Sequence, residues 1–263
     1  MIMTQVNKAK QFAEIHTKGD PLLLFNAWDA GSARAIWRAG AKAIATSSWS
    51  MAEAHGYRDG EAMPLKLVEQ IVERIVATVD VPVSVDFESG YMHQPASPHD
   101  KGEDDTLAEN IGRLLDLGIV GVNFEDRVAG ETGMYGIDRQ VRRIAVLRRV
   151  ADQKGVPLFI NARTDLFLGR GGDPAKSIGE ALDRGKAYAA AGASGFFVPG
   201  LLDEPSIARI CDSVSLPVNI MQDGMSSNGR WAGLGVARIS YGATPYINAM
   251  KTLENQAGSA LRP

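Results

Sequence analysis

Cysteine is almost missing from this chain of 263 residues, where Cys211 stands alone. An internal disulfide is therefore excluded, as is a zinc site built from several thiolates, and a reducing cytoplasm is the expected location. Histidine is nearly as scarce, with four copies. His55, His93 and His99 fall in expected loops without metal-ligand spacing, and His16 is expected on an outer helix. Long hydrophobic runs are missing as well. The longest uncharged stretch, Ala187 to Leu202, is broken by Gly192, Gly195, Pro199 and Gly200, too interrupted to span a membrane, and the opening MIMTQVNKAKQFAEIH lacks the apolar centre of a signal peptide. There is no positive excess: 28 Lys and Arg face 31 Asp and Glu, a formal net charge of −3, so no general field recruits nucleic acid or an anionic membrane. No G-x-G-x-x-G or Walker pattern occurs, and the Gly171-Gly172 pair lacks a following Lys-Ser/Thr. No Ser/Gly/Pro-rich linker divides the chain. One domain over residues 1–263, acting on a small molecule, is what these absences leave.

What is present is alternation. Short apolar, β-branched-rich runs recur at Leu22–Asn26, Ala43–Ser47, Val81–Phe87, Ile119–Glu125, Leu158–Arg163, Gly195–Pro199, Pro217–Met221 and Val236–Tyr241. Amphipathic stretches separate them. PLKLVEQIVERIVATV brings Leu65, Leu67, Val68, Ile71, Ile75 and Val76 near one face, and IDRQVRRIAVLRRVADQ does the same with Ile137, Val141, Ile144, Ala145 and Leu147. Eight βα units close most economically as an α/β (β/α)8 TIM barrel, followed here by a C-terminal helical tail.

In such a barrel the chemistry sits where strands end, and these ends are charged. VDFESGY supplies Asp86 and Glu88, NFEDR supplies Glu125 and Asp126, and NARTD supplies Arg163 and Asp165. Residues two apart on a strand point the same way, so Asp86 and Glu88 are expected to face one pocket, with Glu125 arriving from the next strand. Three carboxylates repel, and a hard divalent cation resolves the repulsion. Mg2+ (with Mn2+ as an alternative) takes oxygen ligands, keeps several waters and accepts one or two direct carboxylates. Arg163 adds a planar fork suited to a substrate carboxylate or phosphonate. Asp126 and Asp165 are read as helix caps or arginine partners. The Gly-rich segment Arg127–Gly136 is read as a lid, with Tyr135 its strongest candidate for a polar contact to substrate.

In order along the chain, FNAWDAGSARAIWRAGAKAIATSS, YRDG, PVSVDFESGY, GVNFEDR, INARTD, LPVNIM and LGVARISYG resemble the motifs of the isocitrate lyase and phosphoenolpyruvate mutase superfamily. The resemblance covers roughly Leu22 to Pro245. It implies a magnesium-dependent enzyme that makes or cleaves C–C or P–C bonds beside a 2-oxo or 2-hydroxy carboxylate through an enolate-type intermediate. By the same resemblance Asp86 is the principal metal ligand, with Glu88 and Glu125 in the water-mediated shell. Arg163 contacts substrate oxygen, Ser47, Ser48 and Trp49 form the loop that holds the substrate carboxylate, Asp59 lies near the metal waters, and Asn219 faces the pocket. A homo-oligomer, tetramer or dimer, with an exchanged terminal helix is implied too; the tail TPYINAMKTLENQAGSALRP offers Tyr246, Met250 and Leu253 on one apolar face and then stops, so the exchange is expected to be reduced or lost.

Departures from the family pattern bear on the reaction. The region EDRVAGETGMYGIDRQ has no cysteine where isocitrate and methylisocitrate lyases carry their general acid, and it lacks the lysine and Asn-Ser pair of the phosphonate branch. Glu88 stands where the family commonly has Asp, and the sixth strand ends in VPG where the lyases have glutamate. The expected function is a Mg2+-dependent lyase or decarboxylase of a small 2-oxo or 2-hydroxy (di)carboxylate. P–C bond chemistry like that of phosphoenolpyruvate mutase or phosphonopyruvate hydrolase is the alternative, and a catalytically degenerate binding protein the alternative from another class.

Overall fold

The computed structural model describes residues 3–92, 102–168, 174–222 and 228–262. His93, His99 and the Gly171-Gly172 pair lie outside the described residues. The strands are β1 (Leu22–Leu24), β2 (Ile44–Ala45), β3 (Val83–Asp86), β4 (Gly121–Glu125), β5 (Phe159–Arg163), β6 (Gly195–Phe197), β7 (Val218–Met221) and β8 (Arg238–Ser240). All pair in parallel, in the order β1-β8-β7-β6-β5-β4-β3-β2. The ladder closes between β1 and β2 through an isolated parallel bridge of Ala27 and Thr46, where Ala27 N–H donates to Ala45 O (2.8 Å) and Ser47 N–H to Ala27 O (3.1 Å). Asn26 seals this seam. Its Nδ2 donates to Thr46 O at 2.8 Å, and its Oδ1 accepts the N–H groups of Tyr241 and Gly242, both at 3.0 Å. The eight expected runs are therefore the barrel of a (β/α)8 fold, each trimmed to its hydrogen-bonded centre.

The helices are α1 (Gln5–Glu14), α2 (Ala30–Arg38), α3 (Ser48–Ala54), α4 (Leu65–Thr78), α5 (Glu103–Asp116), α6 (Ile137–Gln153), α7 (Pro174–Ala190), α8 (Glu204–Ser213), α9 (Asn228–Gly233) and α10 (Thr244–Leu261). Their starts are written locally. Asp29 and Ser32 form a reciprocal capping box at α2, and Thr4 and Asp203 cap α1 and α8. On α4 the buried residues are Leu65, Val68, Ile71, Val72 and Ile75, the stripe a 3.6-residue period demands. On α6 the inner face carries Ile144, Val146, Leu147 and Val150 but also Gln140 and Arg143, while Ala145 is exposed.

The N-terminal end of the barrel is plugged by α1 and the residues after it. Phe12 meets the Phe159 ring edge-on at 5.4 Å, and His16 stacks on Phe159 at 4.0 Å. Gly121 is required here, since a Cβ would lie 2.8 Å from the Phe12 ring. His16 is thus not on an outer helix but buried in the plug, where burial lowers its pKa to about 3 and its Nδ1 bonds Phe12 O. With one end closed, chemistry is confined to the other. Among the described residues no helix is long and apolar enough to cross a membrane.

Of α10, only Pro245 is buried, and Ile247, Met250, Leu253 and Leu261 are exposed. An uncovered groove of about 660 Å3 runs beside β1, lined by Leu22, Leu23, Phe25, Ile36 and Tyr241 among others.

Candidate active site

Asp86 is placed by the last rung of β3. Its N–H donates to Thr46 Oγ1 (2.9 Å), and its Oδ2 accepts the N–H (3.2 Å) and Oγ (2.8 Å) of Ser48. Its Oδ1 is buried without a hydrogen-bond partner among the described residues. Ser47 caps α3 through Ser50 N–H. The Ser48 N–H expected to hold a substrate carboxylate is turned onto Asp86. Trp49 is half-buried, its ring 6.0 Å from Tyr246, which in turn lies 5.2 Å from Trp28. Asp59, exposed in the turn after α3, lies within electrostatic range of the same end. The protein crowding its carboxylate, and then Asp86, raise its pKa, and Arg163 and Arg127 oppose them.

Glu88 follows β3 in a left-handed conformation, φ 48°. Its Oε2 accepts the N–H of Glu61 (2.8 Å) and its Oε1 the hydroxyl of Tyr91 (2.7 Å). Glu61 and Tyr91 have φ of 61° and 57°, and each such residue costs on the order of 1–3 kcal/mol. Burial, relieved in part by the Tyr91 hydroxyl and reinforced by the Asp86 charge, pushes the Glu88 pKa up to about 8.

Glu125 ends β4 opposite Arg163 on β5, and the register sets them side by side. Arg163 Nη1 meets Glu125 Oε2 at 2.9 Å, while Nε and Nη2 donate to the two oxygens of Asp165 at 2.6 and 3.1 Å. Burial works against the guanidinium charge, but Glu125, Asp165 and Asp86 outweigh it and raise the Arg163 pKa. The fork is engaged on both sides by protein carboxylates. Asp126 points away from this group into a structural knot, its Oδ1 accepting Asp165 N–H and its Oδ2 bonded to Arg184 Nη1 (3.0 Å) and the Tyr188 hydroxyl (2.9 Å). Both acids read as arginine partners are arginine partners.

Below these groups lies a polar interior layer. Asn219 on β7 exchanges hydrogen bonds with Ser240 on β8. Asn123 Oδ1 accepts from Asn161 Nδ2 (2.9 Å) and from Arg238 Nη2 (3.0 Å). Arg238 is 1% exposed, and burial lowers its pKa to about 9. Sequence reasoning missed Arg238, although a lone arginine inside the apolar run VARIS is a readable signal. It also missed Glu61, which looks like an ordinary loop acid.

The segment Arg127–Gly136 is closed on itself. Arg127 and Met134 form an antiparallel bridge, Val128 N–H donates to Gly133 O (3.0 Å), and Tyr135 N–H to Asp126 O (2.7 Å). Of its three glycines only Gly130 uses a positive φ. Tyr135 is buried, with the guanidinium carbons of Arg143 and Arg139 at 4.1 and 4.5 Å from its ring centre. Where a mobile lid carrying Tyr135 toward substrate was expected, the structure has a tethered turn whose tyrosine is clamped by α6.

Among the described residues no three His, Cys, Asp or Glu side chains close in far enough to hold a metal by themselves. The site nevertheless suits Mg2+. Asp86 has an unpartnered buried oxygen, burial first and the Asp86 charge in addition raise the pKa of Asp59, Glu88 and Glu125, and an ion with one direct carboxylate and a mostly aqueous shell needs no tighter cage.

Known proteins give the arrangement its context. The phosphoenolpyruvate phosphomutase family profile matches residues 12–261. An uncharacterized protein of Mycobacterium tuberculosis strain H37Rv is 31% identical over 236 residues, 89% of this chain and 83% of the relative. A solved structure from Burkholderia cenocepacia J2315, provisionally named a phosphonomutase, superposes with a TM-score of 0.89 at 41% identity, covering 97% of this chain and 99% of that one. A phosphonopyruvate hydrolase solved with oxalate and Mg2+ shares the fold at 18% identity, with a TM-score of 0.80 over 96% of this chain and 85% of its own. With a profile match over nearly its whole length, the chain belongs to the phosphoenolpyruvate mutase and isocitrate lyase superfamily of enzymes.

Proposed function

We propose that the protein is a Mg2+-dependent lyase or decarboxylase of a small 2-oxo or 2-hydroxy (di)carboxylate, working through an enolate-type intermediate. The observation that carries this reading is the free Oδ1 of Asp86 at the centre of an acidic cluster on the open end of the barrel. Asp86 is the direct ligand, and Glu88 and Glu125 act through water, since their oxygens already serve Glu61, Tyr91 and Arg163. Bound there, Mg2+ (or Mn2+) supplies Lewis-acid stabilisation of negative charge developing on a substrate oxygen.

The residues do the rest. Ser47, Ser48 and Trp49 bring the N-terminal turn of α3 to the substrate carboxylate, with Ser48 exchanging its bond to Asp86 for one to substrate. Arg163, held rigid by Asp165 and Glu125, presents a fixed positive charge that cannot be lost to solvent pH. Asp59, with its pKa raised, is poised to hold or pass a proton at the rim. Asn219 acts one layer lower, fixing the floor through Ser240.

The loss of a lid cysteine and of a β6 glutamate leaves the reaction open within the superfamily, and the 41% identity to a provisional phosphonomutase favours P–C chemistry as a second reading. A panel of oxaloacetate-like, 2-hydroxy dicarboxylate and phosphonopyruvate-like compounds, each with Mg2+ and with EDTA, separates them. Turnover of a carboxylate substrate only with Mg2+ is expected. Turnover of the phosphonate alone would select the second reading, and metal-independent turnover would refute both.

A further inference from the structure

We infer that Glu61 is a positioning residue: with Glu88 it forms a reciprocal latch that fastens the Asp59 turn to the acidic end of the barrel. The inference rests on reading that end as the active site.

Residues 55–64 contain no strand or helix, and Asp59 at their centre is exposed, so its place must be set by what the turn is tied to. The tie runs in both directions. The Glu61 N–H crosses to Glu88 Oε2 at 2.8 Å. The Glu61 carboxylate returns to the segment after β3, where its Oε1 accepts Ser89 N–H (3.0 Å), Ser89 Oγ (2.7 Å) and Tyr91 N–H (2.9 Å). All three donors converge on this one oxygen. The Tyr91 hydroxyl then closes onto Glu88 Oε1 at 2.7 Å. Beneath the knot, Arg143 of α6 donates to Ser89 O.

Every non-glycine residue with a positive φ among the described residues lies in this knot: Glu61, Glu88 and Tyr91. Such conformations persist where surrounding bonds over-determine them, and they gather at functional sites. Here the over-determination is the latch itself. Glu61 is 7% exposed and its carboxylate meets Ser89 and Tyr91, so it acts on the site through the turn that carries Asp59, two residues earlier. Asp59 in turn feels Asp86 and Arg163.

The test uses Glu61→Gly and Glu61→Gln in the full chain. Glycine adopts φ near 61° without strain, so Glu61→Gly removes the latch side chain without a backbone penalty; glutamine keeps one carbonyl acceptor and loses the charge. Amide exchange is followed in a peptide covering residues 57–62, with β3, β4 and β5 peptides reporting the integrity of the barrel. Mn2+ affinity by electron paramagnetic resonance is the second readout. Glu61→Gly is expected to exchange at least tenfold faster in the turn with the strands unchanged, and to bind Mn2+ several-fold more weakly. Glu61→Gln is expected between it and wild type. Wild-type exchange in the Glu61→Gly turn, or faster exchange with unaltered Mn2+ affinity, would overturn the assignment. If the wild-type protein itself binds no Mn2+, the reading of the site as a metal centre fails, and the exchange data alone decide whether the latch exists.

Discussion

Two neighbouring carboxylates at the end of β4 have opposite fates. Glu125 turns inward to Arg163 and the acidic cluster, whereas Asp126 turns outward to Arg184 and Tyr188, because side chains alternate and the backbone pairing runs one residue past β4, where Asp126 N–H donates to Arg163 O (3.1 Å). The same rule does not carry past the end of β3. Asp86 and Glu88 were expected to point one way by strand alternation, but β3 ends at Asp86, and Glu88, two residues later with left-handed backbone, binds the Asp59 turn while staying close enough to Asp86 to feel its charge. Period two holds only while the strand continues. Glu88 also sets a pH dependence. The folded state keeps its proton up to about pH 8, the unfolded chain releases it near 4.5, and between these values the folded state binds more protons. The contribution of Glu88 to the stability of the metal-free protein therefore falls as pH rises through that window, by an amount on the order of 4 kcal/mol, offset in part below pH 6.5 by His16, whose lowered pKa acts with the opposite sign. Urea midpoints in EDTA at pH 5 and pH 8 should show this fall, and Glu88→Gln should flatten it. A slope unchanged by Glu88→Gln would assign the effect to another group.

Strands and helices were legible because a barrel buries its strands on both faces, which writes them as continuous apolar runs. Less legible were elements whose role depends on distant packing. The plug at the barrel base needs His16, Phe12, Gly121 and Phe159 together, from three separate stretches of chain. The inner face of α6 was misread at Ala145, since its real inward residues include Arg143 and Gln140, which serve the loops above and not the core. The segment Arg127–Gly136 shows the limit of composition: glycine content suggested motion, while backbone bonds and the clamp on Tyr135 restrain it. Amide exchange at Val128 and Tyr135 should accordingly be slow in the free protein and change less than about threefold on adding Mg2+ and oxalate. A drop of tenfold or more on adding ligand would restore the lid.

At the scale of the molecule, α10 meets the barrel mainly at its first turn, through Pro245 and Tyr246. α10 leaves Ile247, Met250 and Leu253 exposed, while the groove beside β1 leaves Leu23 and Phe25 uncovered. We propose that a second copy covers this exposed apolar surface on both elements, as the superfamily resemblance implies. Light scattering should show a dimer or tetramer at micromolar concentration, and Leu253→Asp should shift it toward monomer; a wild-type monomer would remove the proposal. The central claim is narrower and concerns Asp86. Isothermal titration of oxalate into the metal-free protein, into the Mg2+-loaded protein and into Asp86→Ala with Mg2+ tests it most directly. The account predicts binding in the second case alone, with Asp86→Ala retaining the wild-type circular dichroism. Oxalate binding of equal strength without Mg2+, or in Asp86→Ala, would contradict it.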